Sequence, residues 1–283
     1  MTKGGCLCGA VRYEVDGPFP SMVNCHCSMC RKHHGAAFAT FVGAPLAGFR
    51  WLSGRDEIDT YQSSAQAARS FCRRCGSVTP TLLAPLDLAL CPAGNLEGDL
   101  GLKPQAHWFV GSKAPWYSIS DHLPQHDGYP PEFGMSGLER PAVEAKPGVV
   151  PGSCLCGDVR FEIEGAPTRM WNCHCSRCRR GRSAMHASNV FYRFVQLRFL
   201  RGADSITEFK APDARMFAVA FCRRCGSAVP RANKERDIVN APAGSLDADP
   251  GIRPLAHIFV ASKAPWEDIT DATPQFAELP PAP

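Results

Sequence analysis

The chain has 283 residues, of which 45% are hydrophobic and 20% charged, and carries a net charge of +4. It is too apolar and too weakly charged to be disordered, and its 25 glycines and 25 prolines argue against long helices or a coiled coil. At roughly 100 to 200 residues per domain, this length suggests two small domains.

The segment Met1–Cys6 has no apolar stretch of the signal-peptide kind, and nowhere do 18 apolar residues run together. A cytoplasmic protein without a membrane span is therefore expected. Val11–Val15 alternates apolar and polar side chains with the period of a half-buried strand. Phe38–Val42, Ser77–Leu83 and His107–Val110 read as further short strands, separated by turn-forming Gly and Pro clusters. Helical signal is thin, and only Ser63–Ser70 is expected to carry a helical turn or two.

The chain then repeats itself. Cys6-Leu7-Cys8-Gly9 returns as Cys154-Leu155-Cys156-Gly157, and Asn24-Cys25-His26-Cys27-Ser28 through Cys30-Arg31 returns at Asn172 through Arg179, both 148 residues later. Phe71-Cys72-Arg73-Arg74-Cys75-Gly76-Ser77 and Ser112-Lys113-Ala114-Pro115-Trp116 return 150 residues later, so the second copy has gained two residues between Cys178 and Cys222. Val159–Ile163 repeats the first strand pattern. Domains are expected at 1–125 and 151–276, with residues 126–150 as a linker and 277–283 as a flexible tail. The second copy carries most of the basic bias.

Fifteen cysteines in a chain expected to stay in a reducing compartment point to metal binding rather than disulfides. Each copy holds C-x-C, then C-x-C-x-x-C, then C-x-x-C-G, which leaves only Cys91 outside the pattern. Seven thiols divide into four, which close a structural zinc site, and three, which leave a coordination position open. One partition sets Cys6, Cys8, Cys72 and Cys75 against the trio Cys25, Cys27 and Cys30. Another groups Cys6, Cys8, Cys25 and Cys27. A fourth ligand for the trio from His26 or a distant histidine is the competing arrangement, although adjacent residues tend to point apart. Zinc on three thiolates is formally anionic, so it is a poor generator of hydroxide and better suited to binding sulfur. Thiol addition or carbon–sulfur lyase chemistry is the expectation.

With Ala93-Gly94-Asn95-Leu96, His107 and Trp116 added, this three-part cysteine pattern resembles the glutathione-dependent formaldehyde-activating enzyme family, also called the centromere protein V domain. The resemblance spans nearly all of both copies. It implies a mainly β fold of two tandem Mss4-like, tent-shaped zinc domains. It also implies structural zinc on Cys6, Cys8, Cys72 and Cys75 and on Cys154, Cys156, Cys222 and Cys225. Catalytic zinc would sit on Cys25, Cys27 and Cys30 and on Cys173, Cys175 and Cys178, giving two zinc ions per copy and four per chain. The implied activity joins glutathione to formaldehyde reversibly as S-hydroxymethylglutathione. One departure stands out: Gly35 and Phe38 of the first copy become Ser183 and His186 in the second.

His33 and His34 follow the first trio and read as solvated loop residues, with acid–base catalysis as the alternative. His107 and His257 read as satisfied core histidines, Trp116 and Trp266 as core residues, and Cys91 as a small buried side chain. The run Arg177, Arg179, Arg180 and Arg182 reads as a solvated basic face, against a binder of glutathione carboxylates or phosphates. A zinc-stabilised module contacting nucleic acid or protein is the rival function, disfavoured for nucleic acid by the small net charge. A working C-x-x-C dithiol lacks the βαβ context it needs.

Overall fold

A computed structural model describes residues 1–65, 67–129, 143 and 145–281. The chain is mainly β, built from short strands in several sheets. The first repeat contains β1 (Thr2–Gly5), β2 (Arg12–Val15), β3 (Ser21–Cys25), α1 (Ser28–His34), β4 (Ala39–Pro45) and β5 (Phe49–Ser53). It continues with β6 (Ile58–Gln62), β7 (Ala68–Cys72), β8 (Thr81–Leu83), β9 (Leu88–Pro92), β10 (Ala106–Trp108) and β11 (Gln125–His126). The second contains β12 (Val149–Ser153), β13 (Arg160–Glu164), β14 (Arg169–Cys173), α2 (Ser176–Arg182), β15 (Ala187–Tyr192) and β16 (Leu197–Arg201). Then follow β17 (Ile206–Lys210), β18 (Ala218–Cys222), β19 (Arg231–Asn233), β20 (Ile238–Pro242) and β21 (Ala256–Ile258).

Each repeat has a three-stranded sheet, β1-β2-β5 or β12-β13-β16, and a two-stranded ribbon, β6-β7 or β17-β18. The large sheets run β11-β10-β3-β4-β9-β8 and β19-β20-β15-β14-β21. In β2 the expected alternation places Tyr13 and Val15 fully inside. Shared burial joins the repeats: Tyr13, Val42 and Trp116 belong to the same apolar cluster as Ile163, Val190 and Trp266. Cys91 is buried in that cluster too.

Several local expectations need correction. Ser63–Ser70 is no helix but the tip of the β6-β7 ribbon and the start of β7, where cross-strand pairing overrides weak helical preference. Within Ser77–Leu83 only Thr81–Leu83 is strand, because Ser77 and Val78 complete the turn after Cys75, with Ser77 O accepting from Cys72 N. The strand at His107 stops at Trp108, and Phe109 turns the chain at φ 61°. The ends of the expected linker are ordered, since Gln125–His126 pairs with β10 and β12 begins at Val149. Its residues 130–142 and 144 lie outside the described residues, as do 282 and 283 of the expected tail. Glu278 and Ala277 of that tail accept backbone bonds from Phe259 and Ala261.

The repeats face each other through reciprocal contacts. Lys32 of α1 pairs with Asp247, and the equivalent Arg180 of α2 pairs with Glu97 at 2.9 Å. Phe71 packs against Phe221 with ring centroids 6.4 Å apart. A Cβ on Gly244 would meet the backbone of Arg31 and Ala36, and one on Gly94 the backbone of Ala184, so α1 and α2 each lie directly on a glycine turn of the other repeat.

Candidate metal centres

The C-x-C turn between β1 and β2 and the C-x-x-C turn after β7 bring Cys6, Cys8, Cys72 and Cys75 together, all four sulfurs lying within 4.8 Å of one another. Cys154, Cys156, Cys222 and Cys225 form the same group in the second repeat. The sulfurs of Cys6 and Cys8 are 3.4 Å apart and those of Cys8 and Cys72 3.7 Å, and the second repeat has the same spacings. A tetrahedral zinc with bonds of about 2.3 Å needs sulfurs roughly 3.8 Å apart, so the groups fit that ion. Backbone N–H groups of Val11 and Val159 point at Cys6 and Cys154 Sγ at 3.3 Å, the pattern that favours thiolate.

The trios form separately, at the end of β3 or β14 and in the first turn of the following helix. Cys27 caps α1 by accepting the Cys30 N–H at 3.3 Å, and Cys175 caps α2 by accepting that of Cys178 at 3.4 Å. Cys25, Cys27 and Cys30, and likewise Cys173, Cys175 and Cys178, lie within 4.8 Å of one another. Among the described residues no fourth thiol, imidazole or carboxylate joins either group. Bonds from Cys25 and Cys30 hold the Cys27 thiol well below the ordinary value, and Cys173 and Cys178 do the same for Cys175.

The two trios differ in their surroundings. Arg69 Nη1 reaches Cys30 Sγ at 3.5 Å. Burial works against the Arg69 charge, but the sulfurs of Cys30, Cys27 and Cys25 hold its pKa above the usual arginine range. The equivalent position in the second repeat is Val219. The first trio is buried beside Phe109 and Tyr129, whereas Cys175 and Cys178 are only half-buried.

The sequence profile of the glutathione-dependent formaldehyde-activating enzyme family matches residues 1–112 and again 149–262. The chain belongs to this family. A Halomonas elongata protein named "Putative glutathione-dependent formaldehyde-activating enzyme" is 29% identical over 148 residues, spanning 47% of this chain and 90% of that protein. An uncharacterized lyase of Schizosaccharomyces pombe is 31% identical over 75 residues, or 26% of this chain and 53% of that protein. A Rhodobacter sphaeroides protein of known crystal structure is 32% identical, covers 34% of this chain and 89% of its own, and superposes with a TM-score of 0.30.

In this member of the glutathione-dependent formaldehyde-activating family, histidines stand apart from both cysteine groups. His26 points away from Cys25 and Cys27, and its Nε2 meets His107 Nδ1 at 2.8 Å, while His107 Nε2 meets Asp121 at 3.0 Å. His174, His257 and Asp271 repeat the chain at 2.8 and 3.0 Å. His107 and His257 are thus satisfied, as expected. His33 and His34 are not solvated: both are buried in α1 at the contact between repeats, where the helix turns them inward. His34 Nδ1 donates to Arg182 O at 2.9 Å, and burial lowers its pKa to about 4. The Arg177–Arg182 run is not one basic face. Arg177 pairs with exposed Asp213, Arg180 crosses to Glu97, and Arg182 is buried.

The sequence reading missed Asp121, Asp271, Arg69 and Glu267. Glu267 Oε1 lies 2.9 Å from His174 Nδ1 and 3.4 Å from His186 Nδ1. The available signal was the mismatch between repeats, since Tyr117 stands at the position of Glu267. Among the described residues no helix is long and apolar enough to cross a membrane.

Proposed function

We propose that the chain is a zinc-dependent thiol enzyme of the carbon–sulfur lyase type, which joins glutathione to formaldehyde reversibly as S-hydroxymethylglutathione. The observation that carries this reading is the separation of each three-sulfur group from the four-sulfur group of its repeat, with no fourth donor beside it among the described residues. Family membership and the names of the relatives support it. Cys6, Cys8, Cys72 and Cys75, with Cys154, Cys156, Cys222 and Cys225, hold structural zinc in this reading. Cys25, Cys27 and Cys30, with Cys173, Cys175 and Cys178, hold the catalytic ions. Zinc held by three thiolates supplies a soft open position that lowers the pKa of an incoming thiol.

The chain's own groups tune that position. The neighbouring sulfurs lower the Cys27 and Cys175 thiols, and the N–H groups of the helix starts add to that in the same direction. Arg69 offsets part of the negative charge in the first repeat, at a position that holds Val219 in the second. In the forward reaction the thiol adds across the carbonyl: the sulfur–carbon bond forms and the thiol proton passes to the carbonyl oxygen. The reverse breaks the same bond and restores the thiol. Half-burial of Cys175 and Cys178 makes the second trio the more accessible to glutathione. Residues 1–125 and 151–276 are the two working units, joined by 126–150, and the reducing cytoplasm is the compartment this chemistry implies.

The test is formaldehyde consumption by the zinc-loaded chain, with and without glutathione, in the wild type and in C27S, C175S and C27S/C175S. Glutathione-dependent turnover that falls in each single variant and vanishes in the folded double variant is expected. Turnover absent from the wild type, or retained in the double variant, overturns the reading.

A further inference from the structure

We propose that the second repeat holds a further divalent-metal site, of a chemical class different from the cysteine centres, on His174, His186 and Glu267. Their donor atoms all lie within 4.8 Å of one another and all three residues are buried. Zinc bonded at about 2.0–2.1 Å to nitrogen and oxygen in a tetrahedron requires donors roughly 3.3 Å apart. The observed 2.9 Å from Glu267 Oε1 to His174 Nδ1 and 3.4 Å to His186 Nδ1 bracket that spacing.

Contacts inside the protein satisfy this cluster only in part. His174 Nδ1 and His186 Nδ1 approach Glu267 Oε1 as ion pairs, while His174 Nδ1, both nitrogens of His186 and Glu267 Oε2 are buried with no well-formed hydrogen bond. An unbonded Nδ1 is shared with His26 of the first repeat, so the atoms that set the second repeat apart are those of His186 and Glu267, and such buried polar atoms are expensive unless a partner binds them. The outer contacts are also those of a metal ligand. With Nδ1 of His174 as donor to the ion, its Nε2–H donates to His257 Nδ1, and His257 Nε2–H donates to Asp271.

The first repeat provides the internal comparison. It has the same chain of His26, His107 and Asp121, but Phe38 and Tyr117 occupy the positions of His186 and Glu267. There the His26 ring lies against aromatic rings, with centroids 5.1 Å from Phe38 and 5.7 Å from Tyr117. Both ligand substitutions therefore occur together, in one repeat only, around a histidine common to both. His186 and Glu267 line a cleft of about 330 Å³ between the repeats, which leaves a fourth coordination position accessible to water or to a small oxygen ligand. Two neutral imidazoles and one carboxylate leave the ion with a net positive charge, the opposite of the three-thiolate centres. This site stands independently of the thiol chemistry proposed above.

The test is a Co²⁺ titration of the full-length reduced apoprotein, followed by native mass spectrometry. Cobalt on thiolates gives sulfur charge-transfer absorption, and cobalt on histidine and carboxylate gives only weak ligand-field bands. Beyond the charge-transfer signal, the wild type is expected to take up one further equivalent with ligand-field absorption alone. H186F/E267Y, which installs the side chains the first repeat already carries, should lack that equivalent and keep the charge-transfer bands. E267Q, nearly isosteric and checked for folding by circular dichroism, should bind it at least tenfold more weakly. Equal uptake by wild type and H186F/E267Y, or unchanged affinity in folded E267Q, overturns the proposal.

Discussion

His34 shows how much a single position depends on the partner repeat. It is buried and neutral, donating to Arg182 O, beside His33, Phe41 and Arg69, and burial holds its pKa at about 4. An unfolded histidine takes up its proton near pH 6.5, so between about pH 6.5 and 4 the unfolded state binds more protons than the folded one. Stability contributed by neutral His34 is complete above that window and is lost as pH falls through it, by up to about 1.4 kcal/mol per pH unit. H34N keeps an N–H donor but cannot titrate. Urea unfolding of both proteins between pH 7 and pH 4.5 should show the wild type losing stability faster than H34N, and parallel curves would contradict this. At this scale the cysteine motifs were legible from their short spacings, but spacing left open which pairs share a site, and only the fold brings Cys6 and Cys8 to Cys72 and Cys75. Glu267 was not, because only the fold brings it to His174, and nothing local to Pro265-Trp266-Glu267 marks it as a ligand. The solvated reading of His33 and His34 failed because two polar residues after a polar loop look exposed until a second repeat covers them.

Helices α1 and α2 escaped the sequence reading for a definable reason. Their N-caps are the cysteines Cys27 and Cys175, not the usual Ser, Thr, Asp or Asn, and seven residues are too few for a periodic stripe. Both end in a left-handed residue, Gly35 at φ 63° and Ser183 at φ 52°. The strands were easier to read, since alternation in β2 and β13 reflects one buried face. Contact between α1 and the 243–245 turn makes a sharp prediction. G244A places a methyl against the backbone of Arg31 and Ala36, which cannot move aside as a flexible side chain could. It should cost about 3 kcal/mol or more in urea unfolding, the upper end for overpacking. G98A, at φ 76° with open space around it, should cost only about 1–2 kcal/mol of backbone strain. Equal losses would mean that the helix does not bear on that turn.

At the scale of the whole chain, the shared apolar cluster predicts one unfolding transition rather than two. W266A removes a side chain 1% exposed in the second repeat and should cost about 3–5 kcal/mol. Hydrogen exchange should then speed up in β3 and β4 of the first repeat as much as in β14 and β15. Exchange confined to the second repeat would show independent folding. Metal removal belongs to the same scale. Two four-sulfur groups tie the turns after β1 and β12 to those after β7 and β18. A chelator under reducing conditions should abolish the cooperative thermal transition, and zinc added back should restore it, because ligand binding and folding are one equilibrium in such sites. The tandem arrangement was plain from the 148- and 150-residue offsets. Face-to-face packing was not, because the residues that meet across it, such as Lys32 with Asp247, are unremarkable in isolation.

Covalent continuity between the facing repeats has one more consequence. In a dimer of identical subunits every substitution enters twice, so a change that suits one centre is imposed on the other. Here Val219 stands where the first repeat has Arg69, and His186 and Glu267 stand where it has Phe38 and Tyr117. A single chain can diverge one half at a time while the other half holds the shared core, which opens a division of labour that a symmetric homodimer is denied.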